Sequence, residues 1–566
     1  MAGSIAEGGG NTGSSGPLGP GHLTGSTLLP EKHPRAFRRA RRRSRRRAPL
    51  WLSIPAVLTA LAVSLPLAYL LVRSASGGWS AYRQAVFSGR TLELLVSTLA
   101  LVAGTVTLAL TVAVPLAWLV ARTDLPGRRF WAVAGALPLV FPSYVSAFAL
   151  VAVLGPRGYL QQLLGVERLP DFIYGYGGAV CALGLFTYPY IFLLLVAGLR
   201  DLNPAYEESS RTLGAGRWRT FFRVVLPPLR PAIFGGSLLV ILYTLSDFGA
   251  VSIVRYDTFT YSIYNAYRGL FDRSVAASLA TVLVALTVGF ILLEALLLRR
   301  LRPSPPVAAR PAQPLLLGRW RRPALAFVTL LSAITLGIPL IVLISWALRA
   351  VRSGGGFETV ASAAAGSLTA ALLAALVAMA LSLPVTAWSL RFPGPVSRLT
   401  NRLSHAGFAL PGIVIALSLV FFSIRYARPI YQTLGLLVAA YVVRFLPEAL
   451  VASRAALQAV APRFEESSRS LGRGAWKTFT GLTVPLARRG VLAGGGLVFL
   501  TAMKELPATL ILRPIGFETL ATRIWSNVSD GIYSQAAAPA LALVAVSALP
   551  VYFLIIRPAL APRRAR

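Results

Sequence analysis

Twelve apolar stretches, each long enough to cross a bilayer as a helix, run through this sequence. They extend approximately from Leu50 to Val72, Leu92 to Ala121, Trp131 to Leu154, Gly178 to Leu199, Ala232 to Val254, Val275 to Leu298, Ala324 to Leu348, Gly366 to Leu390, His405 to Ile424, Thr433 to Ala456, Val491 to Leu512 and Ala536 to Ile556. A helix needs about 20 apolar residues to traverse the hydrocarbon core. A membrane barrel would show short alternating segments, so continuous runs of this length predict helices. The expected fold is all-α and polytopic, with about 12 membrane-spanning helices. Only 13% of the residues are charged, about half the roughly 25% of a soluble domain. That deficit argues against a soluble globular enzyme.

Charge then sets orientation. The net charge is +36, from 56 Lys and Arg against 20 Asp and Glu. Segments on the side of the N-terminus hold 40 of the 56 basic residues and the opposite loops hold 14, with Arg444 and Lys504 inside spans. The asymmetry predicts both termini in the cytoplasm and accounts for the net charge without nucleic acid. The first 34 residues are rich in Gly, Ser, Thr and Pro and should be disordered. The arm RAFRRARRRSRRR, Arg35 to Arg47, reads as a positive anchor that also touches anionic membrane lipid. Pro303 to Pro323 reads as a cytoplasmic linker. The expected organisation is a tail over 1–49, a first repeat over 50–302, the linker over 303–323, a second repeat over 324–557 and a tail over 558–566. One cysteine, Cys181, and three histidines, His22, His33 and His405, provide neither a disulfide framework nor a metal centre, and no cofactor is expected.

The halves repeat each other. EESSRTLGAGRWRTFFRVVLP at 207–227 returns as EESSRSLGRGAWKTFTGLTVP at 465–485, 258 residues later. Weaker echoes precede it: PLAWLVAR at Pro115 with PVTAWSLR at Pro384, and ALPLV at Ala136 with ALPGI at Ala409. Each half thus carries six spans, and the polar motif lies in the connection after its fourth, over 200–231 and 457–489. Both copies face the same side, so the repeats are parallel, with a pathway expected on the axis between them. The motif reads as two short helices. Asn203 caps the first and Pro204 opens it, whereas Ala461 is a poor cap in the second copy. Glu207 and Glu208 sit near the first turn, where the helix dipole favours anions. Gly214 and Gly216 end that helix, and Pro227 is expected to stop the segment. A simple interfacial tether needs only amphipathicity. The same polar residues twice point instead to a cytoplasmic knob that docks on a soluble partner.

The motif resembles the cytoplasmic signature of permease subunits in binding-protein-dependent ABC importers: E-A-A, three residues, G, nine residues, I-x-L-P. Glu208-Ser209-Ser210, Gly214 and Val224-Val225-Leu226-Pro227 fit this spacing, as do Glu466-Ser467-Ser468, Gly472 and Leu482-Thr483-Val484-Pro485. Both copies carry serine for the two alanines, and the second carries valine for the last leucine. Met503 to Trp525 and Leu245 to Tyr267 resemble the fused twelve-span permeases of ferric-iron importers, with fused permeases for thiamine, phosphonate or polyamine as the alternatives. The resemblance implies a type I importer fold in the inner membrane, two ATP-binding cassette subunits on the cytoplasmic side and an extracytoplasmic ferric-iron-binding protein.

Energy must come from such partners. A phosphate-binding loop needs G-x-x-x-x-G-K-[ST]. Of the three lysines only Lys477 precedes Ser or Thr, and Trp476 stands where glycine is required. The chain is therefore read as a permease and not an enzyme, with Glu207, Glu208, Gly214, Gly216, Glu465, Glu466, Gly472 and Gly474 as its coupling surface. Charges inside spans cost about 2.5–3.5 kcal/mol each at the bilayer centre, so each needs a partner or water. Arg444 and Glu448, four apart, can pair along one helix. Asp247 is equivalent to Glu505, which places one acid from each half beside the pathway together with Lys504. Oxygen ligands suit a hard cation, but a tight site would trap the cargo. The rival reading is a secondary transporter driven by an ion gradient, which would need no ATPase.

Overall fold

In lipid a backbone must satisfy its own hydrogen bonds, and the long apolar runs do so as helices. The computed structural model describes residues 48–75, 78–156, 158–165, 172–269, 273–299, 314–352 and 357–552. No strand occurs among them, and one isolated bridge joins Thr123 to Leu315. The expected disordered tail, most of the linker and the C-terminal tail lie outside the described residues.

Among the described residues ten helices are long and apolar enough to span, and twelve result if two bent pairs each count as one. The bent pairs fall on the expected third and ninth spans, where helices meet at 97° and 108°. Pro142 and Pro411 stand at these bends, each extended and each followed by a new helix, Ser143–Leu154 and Gly412–Tyr426. Proline removes an N–H and holds the preceding residue out of helical geometry. The bends also correct the register of one sequence echo. Pro142 corresponds to Pro411, so ALPLV and ALPGI are four residues out of step. The expected fifth and eleventh spans break as well. Helix Leu226–Ser246 stops at Asp247 before the short helix Gly249–Ile253, and Val484–Met503 stops at Lys504 before Pro507–Leu512.

The second and fourth spans of each half form its central pair: Gly89–Arg122 against Tyr176–Asp201, and Phe357–Arg391 against Leu434–Gln458. The opening span of each half leans on the other half. Tyr69 in Leu50–Ala75 donates to the Phe421 carbonyl at 3.3 Å, and Trp51 packs edge-on to Trp476 with ring centres 4.9 Å apart. Reciprocally, Ala324, Val328 and Leu331 of the seventh span share a core with Ala109, Leu116, Phe192 and Leu229. The two halves are thereby strapped together. Leu292, Leu296, Leu372 and Leu376 remain exposed, as a lipid-facing surface requires.

Close helix contacts rest on small residues, the usual solution in lipid where apolar burial gives no advantage. A Cβ on Gly236 would lie 2.8 Å from the Ile191 Cα in the fourth span, whereas one on Gly235 would meet only the Leu194 Cδ1 at 4.0 Å. Gly236→Val should therefore force the fourth and fifth spans apart at a cost of about 1–3 kcal/mol. Thermal unfolding in detergent is expected to show a lowered Tm for Gly236→Val and a nearly unchanged one for Gly235→Val.

Candidate coupling and translocation site

Each polar motif folds as a knob carried on a long helix. Helix Gly89–Arg122 has 34 residues, so at about 1.5 Å per residue it is about 50 Å long, against about 30 Å of hydrocarbon. Phe357–Arg391, with 35 residues, is its counterpart. Their surplus length brings Arg122 and Arg391 to the knobs. Arg122 Nη2 lies 3.2 Å from Glu207 Oε1, with 4% and 10% of the two side chains exposed. Arg391 reaches Glu465 Oε1 through Nε at 3.1 Å and Nη2 at 2.9 Å. Arg391 Nη2 also donates to the Val460 carbonyl at 3.3 Å, and Arg122 Nη2 donates to the Leu202 carbonyl at 3.3 Å. Glu207 and Glu465, expected on the coupling surface, are thus buried anchors, while Glu208 and Glu466 next to them are exposed. The two arginines were not singled out from sequence, although they close the PLAWLVAR and PVTAWSLR echoes.

The first knob helix is Pro204–Thr212, whose N-cap Asn203 accepts from the Ala205 N–H at 3.0 Å; its copy Pro462–Ser470 begins at Ala461 without a side-chain cap. Gly214 and Gly472 end these helices at φ +80° and +83°. The amide of Gly214 donates to the Arg211 carbonyl and that of Ala215 to Ser210, while Gly472 and Arg473 donate to Arg469 and Ser468. This closing pattern of paired bonds satisfies the last carbonyls and selects glycine for its left-handed backbone. Gly474 has ordinary extended angles, so its role, unlike that of Gly472, is not conformational. Ser210 bonds Thr220 and Ser468 bonds Thr478, each at 3.1 Å, tying the first helix of the knob to the next.

That next helix is not a separate element, contrary to the expected stop at Pro227. Arg217–Thr220 runs through a wide turn, Phe221–Val225, into Leu226–Ser246, and Ala475–Thr478 runs through Phe479–Thr483 into Val484–Met503. The amides of Leu226 and Val484 reach back five residues, to Phe221 and Phe479. The wide turn makes room for Pro227 and Pro485, which would clash in a regular helix. Each knob is therefore continuous with a membrane span.

At the far end of those spans lie the paired acids. Asp247 Oδ1 accepts from the amides of Ala250 at 2.9 Å and Val251 at 3.3 Å, and Oδ2 accepts from the Ser143 hydroxyl. Glu505 Oε1 accepts from the Ala508 amide at 3.2 Å, and Oε2 pairs with Arg444 Nε at 2.9 Å. Both acids thus cap the short helix that follows the break. Where Asp247 meets Ser143, the longer Glu505 meets Gly412, whose missing side chain leaves space for the carboxylate. Lys504 turns the other way and donates to the Leu139 carbonyl of the first half at 2.6 Å. Glu448 accepts from Thr501 at 3.0 Å, and the Arg444 carboxylate partner is Glu505, not the expected Glu448. In the first half Phe186, Tyr190 and Tyr243 occupy the places of Arg444, Glu448 and Thr501, with the rings of Tyr190 and Tyr243 6.0 Å apart. At these three positions the second half is polar or charged and the first is aromatic.

Two consequences can be measured. Arg391→Ala leaves Glu465 buried without its cation, which should cost about 3–5 kcal/mol. Thermal unfolding is expected to show a smaller combined loss for Arg391→Ala with Glu465→Ala than the sum of the single losses. Gly214→Val and Gly472→Val force a branched residue into left-handed geometry at about 1–2 kcal/mol each. Limited proteolysis should then cut the knob faster while the membrane spans stay intact.

The comparisons with known proteins agree with this layout. The family model described as the inner membrane component of binding-protein-dependent transport systems matches twice, over residues 36–303 and 378–566. The Fe(3+)-transport system permease protein FbpB 2 of Haemophilus influenzae is 33% identical over 514 residues, covering 90% of this chain and 98% of that protein. The molybdenum transport system permease protein ModB of Escherichia coli is 32% identical over 219 residues, 37% of this chain and 91% of that protein. The sulfate transport system permease protein CysT of the same organism is 30% identical over 175 residues, 30% of this chain and 63% of that protein. Two copies of the family unit in one helical, multi-span chain make this protein a fused inner-membrane permease of the binding-protein-dependent transport family, similar to the ferric type.

Proposed function

We propose that this permease imports ferric iron by alternating access, driven by two separate ATP-binding cassette subunits and supplied by an extracytoplasmic binding protein. The observation that carries the coupling half of this reading is the duplicated knob. Each presents an exposed acid, Glu208 or Glu466, beside an exposed leucine, Leu213 at 87% or Leu471 at 83%. Tyr206 and Phe464 add an exposed ring about two helical turns before that leucine. Apolar tips rimmed by charge suit insertion into a protein groove. Two such tips fit two ATPase subunits, and both termini then lie in the cytoplasm.

The mechanism follows from how each knob is built. A partner that grips the tip moves Gly214 or Gly472 and the short helix behind it. The buried Arg–Glu pair transfers that motion to the second or eighth span, and the Ser–Thr bond transfers it to the fifth or eleventh. The latter spans end at Asp247 and at Lys504-Glu505, so displacement at the knob is delivered to the acids between the halves. ATP drives transport only so far as the closed ATPase pair binds one conformation better than the other.

Iron as cargo is supported by the full-length likeness to FbpB 2, where the molybdenum and sulfate relatives match about a third of the chain. The residues agree in sign. Asp247, Glu448 and Glu505 outnumber Arg444 and Lys504, an excess of carboxylate that suits a cation better than an oxyanion. Asp247, Lys504 and Glu505 are assigned to the pathway on this basis.

Two expected outcomes check the reading. In vesicles holding the permease, its ATPase subunits and its binding protein, ATP should drive accumulation of labelled ferric iron and not of molybdate, sulfate or thiamine. Glu208→Arg combined with Glu466→Arg should abolish co-purification of the ATPase subunits and iron uptake while leaving membrane insertion intact. Normal uptake by that double variant would refute the docking role.

A further inference from the structure

Tyr144 is 2% exposed, and its hydroxyl has no hydrogen-bond partner among the described residues. Its side chain packs against Gly249 of the first broken span, which Leu506 of the second also approaches. A Cβ on Gly249 would lie 2.8 Å from Tyr144 Cβ and 3.1 Å from Leu506 Cδ2. Gly249 follows Asp247 by two positions, and Leu506 directly follows Glu505. Ser143, the chain neighbour of Tyr144, donates to Asp247. The phenol of Tyr441, by contrast, is engaged with Thr509 at 2.5 Å. Tyr144 thus carries an unpaired oxygen on a side chain packed where the segments bearing Asp247 and Glu505 meet.

A position that required only packing would be met by phenylalanine, which has the same shape and no desolvation cost. A buried hydroxyl left unpaired lowers stability, so a role beyond packing requires a partner that this conformation does not supply. The surroundings identify that partner by chemistry. Two carboxylates and a phenol are hard oxygen donors, matched to a hard, highly charged cation. Both acids already have partners, Ser143 and two amides for Asp247, Arg444 for Glu505. An entering cation must compete with these groups, which keeps the contact weak enough to release.

We propose that Tyr144 is a cargo-contacting residue of the pathway, its oxygen joining the carboxylates of Asp247 and Glu505 in a transient contact for a hard cation crossing between the halves. This rests on the importer reading with ferric cargo.

The test is Tyr144→Phe in the complete complex, reconstituted in vesicles with its ATPase subunits and supplied with ferric-loaded binding protein. The substitution removes an unpaired buried hydroxyl and no hydrogen bond of this structure, so Tm should hold or rise. Iron moved per ATP should fall about tenfold, the loss of one oxygen contact to a charged group. Unchanged iron per ATP would overturn the contact while leaving the cargo reading in place. A parallel fall in Tm, hydrolysis and uptake would make Tyr144 a packing residue and also overturn it. If the wild-type complex moves molybdate or sulfate and no iron, the cargo reading falls and takes the contact with it.

Discussion

The buried arginine–glutamate pair beneath each knob is the interaction on which the rest of the architecture depends. A polar loop between two spans would otherwise hang from its ends, and force applied to its tip would dissipate in the loop. Arg122 and Arg391 prevent this because their helices outrun the bilayer and deliver a cation inside the loop, where Glu207 and Glu465 meet it away from water. Removing either partner strands a charge in a place that cannot solvate it. The pair also explains why the motif opens with two adjacent glutamates. One faces inward and holds the knob to the bundle. Its neighbour, about 100° further round the helix, faces outward and is free for a partner.

The halves agree at the knobs and diverge at the interface between them. Two equivalent motor subunits would require equivalent handles, and the exposed acid, the exposed leucine, the left-handed glycine and the Ser–Thr bond all recur. Since the halves are parts of one chain, each wall is encoded separately and can differ. The first half uses Phe186, Tyr190 and Tyr243 where the second uses Arg444, Glu448 and Thr501. Ser143 with the shorter Asp247 is answered by Gly412 with the longer Glu505. A carboxylate stands at each break, but its partner is a hydroxyl on one side and a guanidinium on the other.

The reciprocal strapping of the opening spans gives the two halves a shared base. Trp51 sits on Trp476 and Phe479 beside the second knob, and the strand-like contact of Thr123 with Leu315 lies beside the first. Tyr159 bonds Ser345 at 2.8 Å at the other end of the seventh span. Any rocking of one half against the other would have to work through these crossed helices, which join each knob to the opposite half as well as to its own.

Local rules with a strong period made much of this legible in the sequence. Uninterrupted apolar runs fixed the helical class, and the 258-residue repeat located both knobs. The fit of Asn203 and misfit of Ala461 as caps could be read from residue type alone, because a cap involves neighbours in sequence. Contacts between distant segments were not legible in the same way. Arg444 can meet Glu448 by helical spacing, yet it pairs with Glu505 because the tenth and eleventh spans approach at the break. Glu207 and Glu208 are the same residue in sequence terms; only the position of Arg122, 85 residues earlier, decides which is buried. Composition and periodicity determine which elements a chain forms, since those depend on neighbouring residues and on lipid. Which polar group each buried charge finds depends on helix crossing, bend and register, and those exist only once the bundle has packed.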